Sequence, residues 1–545
     1  MISSKKLLCA LLFFCTNTVV LSKPSEPPTL YEWIKSFFTT PADKSKFVKA
    51  TEESVPLDLL AFYKEKEGKE ASSFNNAENA AKKFKESLVK AANNDPIMKK
   101  FKDKPEQFLF GGSSSDHQYN GDPDDLDTNA NVIFYKEKGF KTAGKAIDFW
   151  NKYKNDIPQM QDELGINSFR ISIGWDRVQP GIKGWDRKAI DHYVDMIRTL
   201  KQHGIEPIVV LHHYTIPQWF AKIGGFEHLK NGKYFVTFAE EMYAALYKDV
   251  TYWSTFNAIE GYAFKGYFTL DGPPGKEKSY TLTQQVMANM LEAHVQTYKA
   301  LKNRYQELAK LDPKIPNPQI GIQKNIVLLD PYPESYLPTR KLTQLLMSIG
   351  GTPLQNKGFF GFFTTGTFYV PGLITYTNPD AKKALDWIGL NIYSNRFMVA
   401  TAHQQEQAEE RTTNNLNYRD YPEGIYRAVK IIYDNIAKPL NIPIIITENG
   451  IATENDTKGN EKRTRFFKRA LYTIRKLIEE GYPIIGYTPW ACHDNYEWPS
   501  KEQPNPYDRP YGFFHVDFQD PNLKRTLKTG SYFYRDFVKA YLGKK

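Results

Sequence analysis

The chain has 545 residues, 41% hydrophobic and 25% charged, an ordinary globular composition with room for one large domain or several. Its net charge of +10 is thinly spread, and its densest basic runs (Lys82, Lys83, Lys85, then Lys99, Lys100, Lys102 and Lys104) lie near the N-terminus. Nucleic-acid binding calls for a clustered basic face, so the composition points to a solvated lysine-rich surface and no nucleic-acid partner.

Residues 1–22 read as a secretory signal: Lys5 and Lys6 form the basic start, Leu7 to Leu21 the apolar run, and Val20-Leu21-Ser22 the cleavage site. The run is interrupted by Thr16, Asn17 and Thr18 and is short for a membrane span, so the expectation is a secreted or periplasmic protein without a span once cleaved. An uncleaved anchor is the alternative. Cys9 and Cys15 fall inside this signal and leave Cys492 alone, so no internal disulfide is available to the mature chain. Residues 23–106 form an N-terminal extension rich in Lys, Glu, Ala and Ser. Its spacing of Ala80, Ala81, Phe84, Leu88 and Ala91 predicts a helix over Glu78 to Ala92 in an otherwise helical or partly disordered stretch. Its partner, if it has one, is not legible.

From residue 107 to 545 short apolar runs alternate with amphipathic segments. The strands expected are Phe108 to Gly112, Ser168 to Ile173, Pro207 to Leu211, Val250 to Phe256, Gln319 to Gln323, Trp387 to Leu390, Ile444 to Ile446 and Ile484 to Tyr487. Helices are expected over Ala146 to Leu164, Arg187 to His203 and Arg463 to Glu480. Eight apolar strands alternating with helices predict an α/β fold, a (β/α)8 TIM barrel, with its chemistry at the C-terminal strand ends. Those ends carry Gln118, Arg170, His213, Asn257, Asn391, Tyr393, Glu448, Trp490, Glu497 and Trp498. Any one of them has an ordinary structural reading. Together they make a ring of hydrogen-bonding groups and flat aromatic faces, which is what a sugar needs.

At these residues the chain resembles family 1 glycoside hydrolases. Ile446-Thr447-Glu448-Asn449-Gly450 is similar to the family's nucleophile motif. Phe108 to Gly112 with Gln118, Phe169 to Trp175, Leu211-His212-His213 and Trp490 to Trp498 resemble its first, second, third and eighth strands. Tyr511 to Asp517 resembles the family's segment beyond the eighth strand. The resemblance implies that Glu448 is the catalytic nucleophile, supported by Arg170 and Tyr393. It implies that Gln118, His213, Asn257, Asn391, Trp490, Glu497 and Trp498 bind a β-linked carbohydrate, with no metal and no cofactor.

One position departs from the pattern. The family has Asn-Glu after its fourth strand, where this chain reads Asn257-Ala258-Ile259-Glu260, so Ala258 occupies the acid/base position. Three readings are open: Glu260 substitutes through a backbone shift; the protein turns over activated glycosides without an enzymatic acid, as the family's myrosinases do with Gln; or it binds sugar without catalysis, as Klotho-type relatives do. A two-residue offset moves a side chain about 6–7 Å along extended backbone, against a carboxylate separation of about 5–5.5 Å in retaining enzymes. Glu497-Trp498 resembles relatives that bind unphosphorylated sugars. A 6-phospho-β-glycosidase, whose family pattern has Ser in place of that Glu, is the alternative.

Overall fold

The computed structural model describes residues 55–56, 58–59, 73–122, 127–331, 352–398, 420–500 and 504–544; the signal segment lies outside them. Eight parallel strands close into a barrel: β1 (Leu109–Ser113), β2 (Ser168–Ser172), β3 (Glu206–His212), β4 (Tyr252–Asn257), β5 (Gln319–Asn325), β6 (Trp387–Asn391), β7 (Ile444–Glu448) and β8 (Ile484–Tyr487). Each pairs with its neighbours in chain order, and β1 closes on β8 through Leu109 beside Gly486 and Phe110 beside Tyr487. Every expected strand is present, the α/β barrel class holds, and the central strands are buried on both faces, as their apolar sequences require.

The helices that matter here are α1 (Ala77–Asn94), α2 (Asp116–Asn120), α3 (Ile259–Phe264), α4 (Tyr280–Ala309), α5 (Thr457–Glu479) and α6 (Tyr532–Leu542). Asn76 caps α1 by accepting from the Asn79 N–H, and the face carrying Ala80, Ala81, Phe84, Leu88 and Ala91 is buried. Helix α1 packs on α5 and α6, and Phe84 meets Phe108, Phe110, Phe537 and Tyr541 edge-on at 5.2–5.8 Å. The described part of the extension therefore shares the barrel's own apolar core.

The helix expected from Ala146 begins at Phe149. Ala146 and Asp148 have φ of 48° and 57°, outside the right-handed helical region, so the turn before the helix uses residues whose composition alone is helix-compatible. No helix among the described residues is long and apolar enough to cross a membrane.

Candidate active site

Three short hydrogen-bonded groups meet at the C-terminal rim of the barrel. The first is built on Glu448, the last residue of β7, which is 7% exposed. Its Oε1 accepts from Arg170 Nη1 at 2.8 Å and its Oε2 from Tyr393 Oη at 2.8 Å. Arg170 projects from β2 with its side chain fully buried, and its Nη2 donates to Gln323 Oε1 on β5 at 2.6 Å. A charge-assisted bond on one oxygen and a phenol on the other fix the carboxylate's plane from two directions. Burial, and then the Glu448 charge, push the Tyr393 phenol well up, so it serves as a proton-bearing donor.

The second group runs across three strands and the residue that follows a fourth, β3. Thr447 Oγ1 donates to Asn391 Oδ1 at 2.7 Å, Asn391 Nδ2 donates to Asn257 Oδ1 at 2.8 Å, and Asn257 Nδ2 lies 2.9 Å from His213 Nε2. The bond from Asn391 sets the Asn257 amide so that its NH2 faces the imidazole. Nε2 of His213 is then the acceptor and Nδ1 carries the proton. Burial, followed by the Arg170 charge and His212, pushes the His213 pKa well down, so the ring is neutral. Its buried Nδ1 has no partner among the described residues, which leaves one donor for a bound hydroxyl. His212 faces the other way, against Phe226, Phe256 and Tyr262, as strand alternation demands.

The third group lies in the loop after β8. Glu497 Oε1 accepts from Trp490 Nε1 at 2.8 Å, and its Oε2 from Gln118 Nε2, on α2, at 3.2 Å. Gln118 Oε1 accepts in turn from Ser115 Oγ at 2.8 Å. Burial raises the Glu497 carboxyl to about 7, although Arg509 and the Trp490 bond pull the other way. Trp498 is half-buried; its ring stacks on His117 at 5.4 Å and meets Tyr214 edge-on at 5.5 Å. The loop is pinned from behind by Asp494, which accepts from buried Lys528 at 2.7 Å and from the Gly512 N–H at 2.8 Å.

All ten residues expected at the site are thus at one rim, nine of them in hydrogen-bonded groups and Trp498 in an aromatic cluster. Gln323 was not among them. It ends an apolar stretch of β5, and only its contact with Arg170 reveals its role. Cys492 is a buried packing residue whose thiol burial pushes well up, which removes it as a nucleophile.

Ala258 follows β4 with φ 44° and ψ 69°, its N–H bonded to Gln323 O at 3.0 Å, and it is 1% exposed. Glu260, in the first turn of α3, accepts from the Asn325 N–H at 2.7 Å and pairs with Lys324 Nζ at 3.0 Å. Gln323 reaches Arg170 inside the barrel, so the next side chain of β5, Lys324, points to the helix layer, where it lies over Phe359 at 5.5 Å. Glu260 is held there with it. The reading in which Glu260 takes over as acid/base does not fit this geometry.

Comparison with known proteins gives one family. The sequence profile of glycosyl hydrolase family 1 matches residues 100–541. The 6-phospho-β-galactosidase of Staphylococcus haemolyticus is 25% identical over 488 residues, 80% of this chain and 98% of that protein. That of Clostridium acetobutylicum is 28% identical over 484 residues, 79% and 96% of the two chains. Among solved structures, the β-glycosidase from Pyrococcus horikoshii superimposes with a TM-score of 0.64 at 28% identity, covering 80% of this chain and 95% of that one. The family 1 β-glucosidase from Thermotoga maritima gives 0.65 at 23% identity over 80% and 98%, a likeness of fold.

Proposed function

The chain belongs to glycosyl hydrolase family 1, and from that premise we propose that it is a retaining β-glycosidase acting on unphosphorylated β-glycosides through Glu448. It is restricted to substrates with good leaving groups because Ala258 stands at the acid/base position. The observation that carries this reading is the Glu448 carboxylate, held at one oxygen by Arg170 and at the other by Tyr393. A binding protein has no need of a carboxylate oriented in this way.

In the reaction, a Glu448 oxygen bonds to the anomeric carbon while the bond to the leaving oxygen breaks, and the electron pair departs with that oxygen. With a methyl group at position 258, no side chain there protonates it. A phenolate-type leaving group departs unaided and an ordinary alkoxide does not. Water then cleaves the glycosyl ester, again without a base at 258. The sugar is read by His213 Nδ1, by Asn257, and by the Gln118, Trp490 and Glu497 set, with Trp498 as an aromatic wall.

Glu497 supports an unphosphorylated sugar, since a carboxylate is a poor neighbour for phosphate. The names of the Staphylococcus and Clostridium relatives support the second reading, a 6-phospho-β-galactoside. We propose from the signal-like pattern of residues 1–22 that the protein is secreted or periplasmic.

The test is incubation with dinitrophenyl 2-deoxy-2-fluoro-β-glucoside and then intact-protein mass measurement. This leaving group needs no acid. One fluorosugar added to the wild type and none to Glu448→Gln is the expected result. If the glucoside, galactoside and fucoside all leave the mass unchanged, the nucleophile assignment is lost and the protein is a sugar binder without turnover.

A further inference from the structure

Among the described residues Arg170 is the one cation paired with Glu448, so whatever else draws on Arg170 acts on that carboxylate. Its Nη1 donates to Glu448 and its Nη2 to Gln323 Oε1 at 2.6 Å. Two other bridging arginines are built differently. Arg177 lies between the carboxylates of Asp116 and Asp122, and Arg469 between those of Asp420 and Glu423. At Arg170 one of the two acceptors is an amide, which carries no charge.

The amide is retained at a cost. Gln323 is fully buried and its Nε2 has no hydrogen-bond partner among the described residues, although an unpaired buried donor is unfavourable. A glutamate is the same size, would accept from the guanidinium more strongly and would leave no idle N–H. The room for this side chain is also specific. Gly389 on β6 stands beside Gln323 in register, and a Cβ there would lie 2.5 Å from Gln323 Cγ and 3.2 Å from its Cα. One strand thus lacks a side chain and the next leaves a donor unpaired, and the result is a neutral acceptor against Arg170.

We infer that Gln323 is a positioning residue of this site: it aims the Arg170 guanidinium at Glu448 and, being neutral, leaves the arginine's charge undivided for that carboxylate. The nucleophile must be ionised to attack, and a second carboxylate on the same guanidinium would oppose this by repelling Glu448 and by sharing its cation. The other titratable groups around Glu448 add no negative charge in the acid range. Burial pushes the Tyr393 phenol well up and the His213 ring well down, so both are neutral. Burial also raises the Glu497 carboxyl to about 7, so it is mostly protonated below that pH. This inference rests on the glycosidase reading above and adds to it a residue that acts through Arg170.

The experiment follows the rate of Glu448 labelling by the dinitrophenyl 2-deoxy-2-fluoro-β-glycosides across the acid range, with urea unfolding recorded for every variant. Gln323→Met removes the acceptor. It should slow labelling at saturating reagent about tenfold, while the half-saturating concentration and the acid limb of the pH profile stay in place. Gln323→Glu keeps an acceptor but adds a charge. It should recover most of the rate at neutral pH, with its acid limb moved up by about one pH unit or more. Gly389→Ala leaves residue 323 intact and displaces its side chain; it should slow labelling as Gln323→Met does, and it carries the test if a variant at 323 does not fold. A purely structural Gln323 would lower the urea midpoint and leave the acid limb of Gln323→Glu where the wild type has it. That result, or labelling of Gln323→Met or Gly389→Ala at the wild-type rate, overturns the inference while the Glu448 reading stands. If the wild type takes no label from the glucoside, galactoside or fucoside, both fall together.

Discussion

Replacing Ala258 with Glu tests the functional reading most directly. The backbone there is left-handed, with φ 44° and ψ 69°, and its N–H is already bonded to Gln323 O. Ala and Glu pay the same kind of penalty in that conformation, so the exchange adds little backbone strain. The side chain is 1% exposed, so the new carboxyl is buried, and its desolvation should lower stability by about 1–3 kcal/mol. In return the site gains a group able to protonate the leaving oxygen. General acid–base help is worth about 10²–10⁴-fold, equivalent to about 2.7–5.4 kcal/mol of barrier at 1.36 kcal/mol per decade. The assay is kcat/KM for a series of aryl β-glycosides of falling leaving-group acidity. Ala258→Glu should raise kcat/KM by about that factor for the poorest leaving groups and leave the dinitrophenyl glycoside nearly unchanged, which flattens the dependence on leaving-group acidity. An equal gain across the series, or no gain with the protein folded, refutes the argument that a missing acid limits this site.

Arg170→Met should abolish labelling and lower stability by about 3–5 kcal/mol in urea unfolding, because it leaves Glu448 without its buried cation and Gln323 Oε1 without a donor. Tyr393→Phe removes one hydrogen bond to Glu448 and should lower kcat/KM about tenfold without comparable loss of stability; an unchanged rate would remove Tyr393 from the machinery. The Glu497 carboxyl is raised from 4.5 to about 7 on folding, so its stabilising proton is fully present below pH 4.5 and is lost as pH climbs through 7. Glu497→Gln should therefore gain on the wild type by about 3 kcal/mol between pH 4.5 and pH 8, and urea midpoints with a constant difference across that range would contradict the shift. Phe84→Ala removes the ring at the centre of the α1 contact and should lower stability by about 3–5 kcal/mol, with α1 becoming the first site of limited proteolysis.

The barrel was legible because parallel strands covered on both faces read as apolar runs, and because its chemistry collects where those runs end. Glu448 and Arg170 stand within family-like motifs, and Tyr393 stands just past the end of an apolar strand. Gln323 is different, since its role is a contact between strands two and five that no local pattern encodes. The direction of Glu260 was equally hidden: two residues of offset left it a candidate, and only the alternation of Gln323 and Lys324 on β5 turns it away from the site. The early start expected for the helix at Ala146 failed because composition carries no sign of a positive φ.

Helix α1 finds its partners at the far end of the polypeptide: Phe84 touches Phe537 and Tyr541 of α6. During synthesis α1 emerges ahead of the eight strands, and α6 emerges after them. Until then Phe84 can meet only Phe108 and Phe110 at β1, and closing the remaining contact means bringing together segments on either side of the whole barrel in sequence. The barrel cannot be finished from its N-terminus onward as a self-contained growing domain. The contact of α1 with α6 forms only after all eight strands have been made, and until then part of an apolar helix face lacks its native cover.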